Sequence, residues 1–147
     1  MSGILIRPFQ PHDEEALEQL LEAAELPLDD LTEEVMEGFL IAHDAHGVAG
    51  AAGIEHYDDV ALLRSVVVRE DLRGTGLGKR LVEAMEEGAR QAGVRGLYLL
   101  TTTAADFFAA QGYQPVARDA APAAIQATRQ FSELCPSSSA CMLKNLA

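Results

Sequence analysis

The amino-acid sequence predicts a mixed α/β fold in which a mostly antiparallel central sheet is flanked by helices. Its first half is rich in short apolar runs that are typical of strands, and its second half follows a β-α-β-α-β pattern. Hydrophobic residues make up 48% of the 147 residues, which is enough for a buried core. Because the chain shows neither an internal repeat nor a linker, we expect a single domain over 1–147.

The first half of the chain predicts strands around two acidic helices. Residues 4 to 7 alternate Ile with Leu and Arg before a proline, which indicates a first strand. From Asp13, apolar residues recur at spacings of three and four, and Pro27 ends this helix. A second, short acidic helix is expected from Asp29 to Met36. Three apolar runs predict further strands: Phe39 to Ala42, Val48 to Ile54 and Val60 to Val68.

The second half begins with a glycine-rich stretch, Arg73 to Gly78. The helix that follows it presents an apolar face and is ended by Gly93. The remaining elements alternate between the two kinds of structure: a strand from Leu97 to Leu100, a helix from Ala104 to Ala110, a strand from Tyr113 to Ala117, a helix from Ala121 to Leu134 and a strand from Ala140 to Leu143.

The charge of the chain disfavours two classes of partner. Eleven Lys and Arg against 23 Asp and Glu give a formal net charge of −12, which repels nucleic-acid backbones and anionic membrane surfaces. No segment approaches the roughly 18 apolar residues of a membrane helix, and the N-terminus lacks the pattern of a secretion signal, so we expect a cytoplasmic protein. Cys135 and Cys141 are expected to be reduced thiols rather than a disulfide, and no metal site is expected.

The most informative motif is the glycine-rich stretch between a strong strand and an amphipathic helix. Glycines let backbone N–H groups approach phosphate oxygens, and a helix N-terminus attracts anions. A Walker A loop is excluded because Arg73 stands where its first glycine belongs and Arg80 follows the Gly-Lys pair. A dinucleotide fingerprint is excluded because Lys79 replaces its third glycine. The motif that remains is RxxGxG, formed by Arg73, Gly76 and Gly78.

This RxxGxG motif follows the strand ending in SVVVRED and precedes a later FFAAQGY segment, and in that order it resembles the pyrophosphate loop of the GCN5-related N-acetyltransferase (GNAT) superfamily. The resemblance covers nearly the whole chain. It implies a GNAT-like acyl-CoA N-acyltransferase fold, an enzyme that uses acetyl-CoA as the acetyl donor, and direct transfer of the acetyl group to an amine.

The same resemblance assigns the cofactor-binding residues by motif position. The backbone of Val66, Val67 and Val68 would meet the acetyl carbonyl and the pantetheine arm, and Thr101 would lie beside that arm. Three residues of the following helix would flank it: Ala104, Phe107 and Phe108. The pyrophosphate would lie on the loop formed by Arg73, Gly74, Thr75, Gly76, Leu77, Gly78 and Lys79.

The catalytic residues depart from the family pattern. Phe108 stands where many members have a tyrosine that protonates the leaving thiolate, and Leu62 stands where some have a glutamate base. We take Glu55, His56 and Tyr57 as candidates for the base, although for His56 alone an exposed loop position is the favoured interpretation. The missing tyrosine leaves an alternative from another class, a non-catalytic module that binds acyl-CoA.

Arg64 is a single cation in the apolar run ALLRSVVV, and a buried guanidinium needs a negative partner. Two alternatives are open. Arg64 could pair internally with a carboxylate such as Glu55, or its planar fork could bind the carboxylate, phosphinate or arsonate of a substrate.

A narrower resemblance is carried by the segments LLRSV, LYLLTTTAADFF and AIQATRQFSELCP, which are similar to the N-acetyltransferases of bacterial arsenic-resistance operons. It implies detoxification of a small-molecule amine such as arsinothricin or phosphinothricin. Acetylation of another amine or of a protein N-terminus stays open, as does a homodimer. Thr128 and Gln130 on the last predicted helix could close the acceptor pocket, or this helix could only cover the sheet.

Overall fold

The computed structural model describes residues 3–26, 28, 31–102, 104–128 and 139–146. The strands are β1 (Leu5–Pro8), β2 (Phe39–Asp44), β3 (Gly47–Tyr57), β4 (Val60–Val68), β5 (Gly96–Thr101), β6 (Gln114–Val116) and β7 (Ala140–Asn145). The helices are α1 (Glu14–Ala23), α2 (Glu33–Met36), α3 (Leu77–Gln91), α4 (Ala105–Ala110) and α5 (Ala123–Gln126). Short 3-10 turns cover Pro11–Asp13, Glu70–Leu72 and Arg118–Ala120.

The strands described above form one sheet in the order β1-β2-β3-β4-β5-β7-β6. Strands β4 and β5 pair in parallel, whereas the pairs β1–β2, β2–β3, β5–β7 and β6–β7 are antiparallel. The β5–β7 ladder runs the full length of both strands, from Gly96 opposite Asn145 to Thr101 opposite Ala140. The prediction of a mixed, mostly antiparallel sheet flanked by helices is therefore confirmed.

Two compact units divide the chain. The first consists of Met1–Ile54 and Ser65–Glu87, and the second of Glu55–Arg64 and Gly88–Ala147. The first unit packs an apolar core between α1, α2 and the strands, formed by Leu17, Leu21, Met36, Phe39, Ile41, Ala51 and Val67. The second unit packs its sheet face against the start of α5 through Leu62, Ala121, Ile125 and Cys141. A single domain over 1–147 stays a prediction.

Two helices begin at least two residues later than predicted. The second helix begins at Glu33, because the Oγ1 of Thr32 accepts a hydrogen bond from the backbone N–H of Val35 at 3.2 Å and so caps it. The fifth helix begins at Ala123 rather than Ala121, since Ala121 and Pro122 have extended backbones. It ends at Gln126 and does not continue to Leu134, so Thr128 lies beyond it. Asp29 and residues 129–138, which include Gln130 and Cys135, lie outside the described part of the chain.

The described residues include neither a membrane-spanning helix nor a cluster of three or more metal-ligating side chains. They contain no helix that is both long and apolar enough to cross a membrane. Among the same residues, no three or more His, Cys, Asp or Glu side chains are arranged to hold a metal ion. Cys141 on β7 is a buried free cysteine, and burial raises the pKa of its thiol. This thiol is therefore a poor nucleophile at neutral pH.

Candidate active site

The glycine-rich loop lies between the 3-10 turn after β4 and the start of α3. Gly74 and Gly76 have φ values of +81° and +90°, in the left-handed region that side chains other than glycine rarely adopt. A Cβ built at either position would meet no atom within 4 Å. Glycine is required here by backbone conformation and not by crowding, and the backbone of the loop is left open for a ligand.

The first turn of α3 supplies donors to this loop. The first N–H groups of an α-helix have no acceptor within the helix. In α3, the N–H of Arg80 donates to the carbonyl of Gly76 at 3.1 Å, and this bond closes the first turn. Arg73, Lys79 and Arg80 are exposed, so three of the eleven Lys and Arg residues fall within residues 73–80. In a chain of net charge −12, this local cluster of cations at a helix N-terminus is a candidate site for an anion.

The regular extended conformation of β4 is interrupted just before the three valines predicted to present their backbone. Ser65 has a φ of +55°, a left-handed conformation in the middle of a strand. The ladder between β4 and β5 covers Val60–Leu62 opposite Gly96–Tyr98, whereas β5 continues beside β7 to Thr101. Sequence reasoning missed this interruption, because a serine within an apolar run carries no signal of a left-handed residue.

The residues predicted to flank the pantetheine arm form a small cluster in the second unit. The Oγ1 of Thr101 accepts a hydrogen bond from the backbone N–H of Ala104 at 3.0 Å, which fixes the entry to α4. The ring of Phe108 is 6% exposed and makes edge-to-face contacts with Phe107, at 5.0 Å between centroids, and with Tyr113, at 5.6 Å. Phe108 is thus held by aromatic packing and offers no proton.

Three of the predicted site residues meet in one hydrogen-bonded network. Arg64 donates from Nη1 to Oε2 of Glu55 at 2.9 Å, and the hydroxyl of Tyr57 donates to Oε1 of Glu55 at 2.6 Å. The side chain of Arg64 is 1% exposed and that of Glu55 is 16% exposed. Of the two partners considered for Arg64, the structure contains Glu55. His56 is exposed and lies on the opposite face of β3 from its two neighbours.

Two hydroxyls lie buried in the second unit. The Oγ1 of Thr128 donates to the carbonyl of Ile125 at 2.8 Å, one turn back in α5. The Oγ of Ser139, which precedes β7, is buried and has no hydrogen-bond partner, the one side-chain atom of this kind among the residues described. Burying an unpaired hydroxyl costs about 1–3 kcal/mol. Nothing in the sequence distinguishes this serine from its neighbours.

A mixed sheet whose fourth strand leads through an open glycine loop into a helix is the arrangement of an acyl-CoA N-acyltransferase. The model of the acetyltransferase (GNAT) domain matches residues 36–115, which is more than half of the chain. The chain belongs to this family. The predicted membership of the GNAT superfamily is therefore confirmed.

Individual relatives give a finer comparison. The chain is 30% identical over 125 residues to the amino-acid acetyltransferase of Pseudomonas aeruginosa, covering 83% of this chain and 27% of that protein. It is 34% identical over 95 residues to the amino-acid acetyltransferase of Azotobacter vinelandii, covering 64% and 22%. The chain thus spans about a quarter of the length of these curated relatives.

A solved structure confirms the fold. The N-acetylglutamate synthase of Neisseria gonorrhoeae, complexed with coenzyme A and N-acetyl-glutamate, superposes with a TM-score of 0.86 at 20% identity. The superposition covers 98% of this chain and 35% of the synthase.

Proposed function

We propose that the chain transfers the acetyl group of acetyl-CoA to the amine of a small, amino-acid-like molecule. The observation that carries this proposal is the exposed loop of residues 73–79 at the N-terminus of α3, where the glycine conformations and the start of a helix suit the pyrophosphate of CoA. The amino-acid acetyltransferases among the relatives support an acceptor of this class. Family membership supports the reaction itself.

The network around Glu55 suits the removal of the amine proton. In a direct transfer, the amine nitrogen attacks the thioester carbon, the C–S bond breaks, and one N–H proton passes to a base. We assign this base to the Glu55 carboxylate, reached directly or through the hydroxyl of Tyr57. Because Phe108 has no proton to give, CoA leaves as the thiolate and takes its proton from solvent. His56 is exposed and is our least favoured candidate.

The narrower proposal for the acceptor is arsinothricin or phosphinothricin. It is supported by the resemblance of the segments LLRSV, LYLLTTTAADFF and AIQATRQFSELCP to acetyltransferases of arsenic-resistance operons. Within this proposal, the Arg64 guanidinium would meet the acidic group of the acceptor beside Glu55, and Thr128 and Gln130, which follow α5 in the sequence, would contact it. A cytoplasmic location and a homodimer remain further predictions of the sequence.

The loop is tested by placing a negative charge where the pyrophosphate is expected. We expect Gly76→Glu to weaken CoA binding at least about tenfold, because like charges repel at this short range. Gly93→Glu is the matched control: Gly93 has a φ of +87°, is exposed, has no atom within 4 Å of a built Cβ, and follows the opposite end of α3. Calorimetric titration measures the Kd. Equal Kd values for both folded variants would show that the pyrophosphate does not bind at this loop.

The reaction is tested by measuring CoA release from acetyl-CoA across a panel of amines. The panel contains glutamate, phosphinothricin, arsinothricin, a neutral aliphatic amine and a short peptide with a free N-terminus. We expect release with at least one amino-acid-like acceptor. If acetyl-CoA binds but no acceptor causes release of CoA, the result would favour the alternative, an acyl-CoA-binding module without catalysis. If only the peptide causes release of CoA, the acceptor would be a protein N-terminus.

A further inference from the structure

We propose that Arg69 is a positioning residue that fixes the glycine loop in its ligand-ready conformation by fastening the end of β4 to the β2–β3 hairpin. This inference rests on the pyrophosphate placement proposed above. Arg69 lies four residues before Arg73 and stands outside the RxxGxG motif. All the contacts that support its role lie within the first unit.

The first set of contacts joins Arg69 to the hairpin. Nη2 donates to Oδ2 of Asp44 at 2.7 Å, and Nη1 donates to Oδ1 of the same carboxylate at 3.3 Å. Nη1 also donates to the carbonyl of Val48 at 3.3 Å, and the backbone N–H of Arg69 donates to the carbonyl of Ala49 at 2.7 Å. Asp44 ends β2, and its Oδ1 accepts a further bond from the N–H of His46 at 2.8 Å.

The second set joins Arg69 to the chain that enters the loop. Nε donates to Oδ1 of Asp71 at 2.6 Å, and Nη2 donates to Oδ2 of Asp71 at 3.2 Å. Asp71 belongs to the 3-10 turn whose last residue, Leu72, donates its N–H to the carbonyl of Arg69 at 2.9 Å. The carbonyl of Leu72 accepts the hydroxyl of Thr75 at 2.5 Å and its N–H at 3.3 Å. A continuous chain of hydrogen bonds thus runs from the hairpin to the residue before Gly76.

The guanidinium of Arg69 has no donor left for a ligand. An arginine carries five N–H donors, and the five bonds to Asp44, Val48 and Asp71 engage all of them. Arg69 therefore acts on a bound cofactor through the loop and not by contact. The bond from Arg69 also holds the pKa of Asp44 down at about 2, so this pair keeps its charges throughout the neutral range.

The loop is exposed, so we expect its order to depend on the attachments at its two ends. Residues 73–76 are exposed, and the glycines among them have open surroundings. On the far side, the buried Leu77 anchors the loop to α3. On the near side, Arg69 supplies the anchor. A loop that is already ordered loses less conformational entropy when it binds a ligand. A substitution that disorders the loop should therefore weaken binding without changing the chemical step.

The decisive experiment compares two arginine–aspartate pairs of the same unit, each joined by two hydrogen bonds. Arg7 donates to Asp13 at 2.7 and 2.9 Å, and Asp13 accepts a backbone N–H from Gln10 at 2.8 Å, as Asp44 does from His46. The side chains of Arg7 and Arg69 are 26% and 24% exposed. Arg7→Gln therefore removes a fork of similar geometry and burial on β1, outside the loop.

We expect Arg69→Gln to raise the Kd for CoA and the KM for acetyl-CoA by about tenfold, with kcat at saturating acetyl-CoA unchanged. Arg7→Gln should lower the Tm comparably and leave the Kd unchanged. Asp71→Asn, at a residue whose side chain is 63% exposed, should raise the Kd in the same direction without a risk to folding. With acetyl-pantetheine, which lacks the pyrophosphate, Arg69→Gln should leave kcat/KM unchanged.

Two outcomes would overturn the role of Arg69. One is a Kd for CoA that stays at the wild-type value in both Arg69→Gln and Asp71→Asn. The other is a fall in kcat/KM of Arg69→Gln that is equal for acetyl-CoA and acetyl-pantetheine. Either result, together with a weakened Gly76→Glu variant, would reject the positioning role alone and keep the pyrophosphate on the loop. If Gly76→Glu also binds CoA normally, the proposed placement fails with it.

Discussion

At the scale of single residues, the buried guanidinium of Arg64 has the greatest energetic consequence. A charge that is 1% exposed is tolerated only when an opposite charge and hydrogen bonds compensate for its lost hydration. Glu55 supplies both, and it also accepts the hydroxyl of Tyr57. The same carboxylate thus serves the stability of the second unit and, in our proposal, the removal of the amine proton.

This double role makes a prediction for Glu55. We expect Glu55→Gln to lower the free energy of unfolding by about 3 kcal/mol, because it removes the negative charge that lies 2.9 Å from the buried guanidinium of Arg64. Tyr57→Phe should cost only about 1 kcal/mol, since the ion pair remains. Urea unfolding at pH 7 measures both values. A loss in Glu55→Gln no larger than that in Tyr57→Phe would show that the ion pair contributes little to stability.

At the scale of the element, the two ends of β4 have different surroundings. Its first three residues belong to the parallel ladder with β5, and its last three are apolar residues that precede the loop. The left-handed Ser65 separates these two parts. A non-glycine residue in this conformation costs about 1–2 kcal/mol relative to an extended one, and such strain is frequently found at functional sites.

The strain at Ser65 can be relieved or increased by substitution. We expect Ser65→Gly to leave the Tm unchanged or higher, because glycine adopts a φ of +55° without a steric penalty. Ser65→Val should lower stability by at least about 1 kcal/mol, since a branched side chain resists this conformation. Thermal unfolding followed by circular dichroism compares the two. A more stable valine variant would indicate that β4 is extended at this position in solution.

At the scale of the whole molecule, much of the architecture follows from local patterns. The alternation of apolar runs predicts the strands, and the glycine loop before an amphipathic face predicts α3. Other features depend on partners that are distant in sequence. Arg69 meets Asp44 from 25 positions away, and the pairing of Arg64 with Glu55 was one of two alternatives open from the sequence. Such contacts are decided by register and rotamer, which a single sequence does not encode locally.

The stability of the chain in acid follows from carboxylates of the first unit. Hydrogen bonds from arginines lower the pKa values of Asp13, Asp44 and Asp71, and that of Asp44 falls from 3.8 to about 2. A lowered pKa in the folded state contributes stability above the unfolded pKa, and this contribution is lost as the pH falls through the folded value. The ion pairs should therefore weaken between about pH 4 and pH 2.

Asp44→Asn provides the test of this acid dependence. We expect this variant to be less stable than the wild type above pH 4, and we expect the difference to close as the pH falls towards 2, because the wild-type carboxylate is then protonated as well. Urea unfolding at pH 6, 4, 3 and 2 measures the difference. A difference that stays constant or widens in acid would assign the contribution of Asp44 to something other than its charge.

The two edges of the sheet bear on how the protein behaves when concentrated. Among the strands that the structure describes, β1 and β6 are the outermost, and each contains a proline, Pro8 and Pro115. Proline offers no N–H to an incoming strand, and β6 has only three residues. Strand β1 does expose Leu5, but its four residues end at Pro8. Growth of the sheet by addition of further chains is thereby discouraged at both edges, which protects the protein against fibrous aggregation.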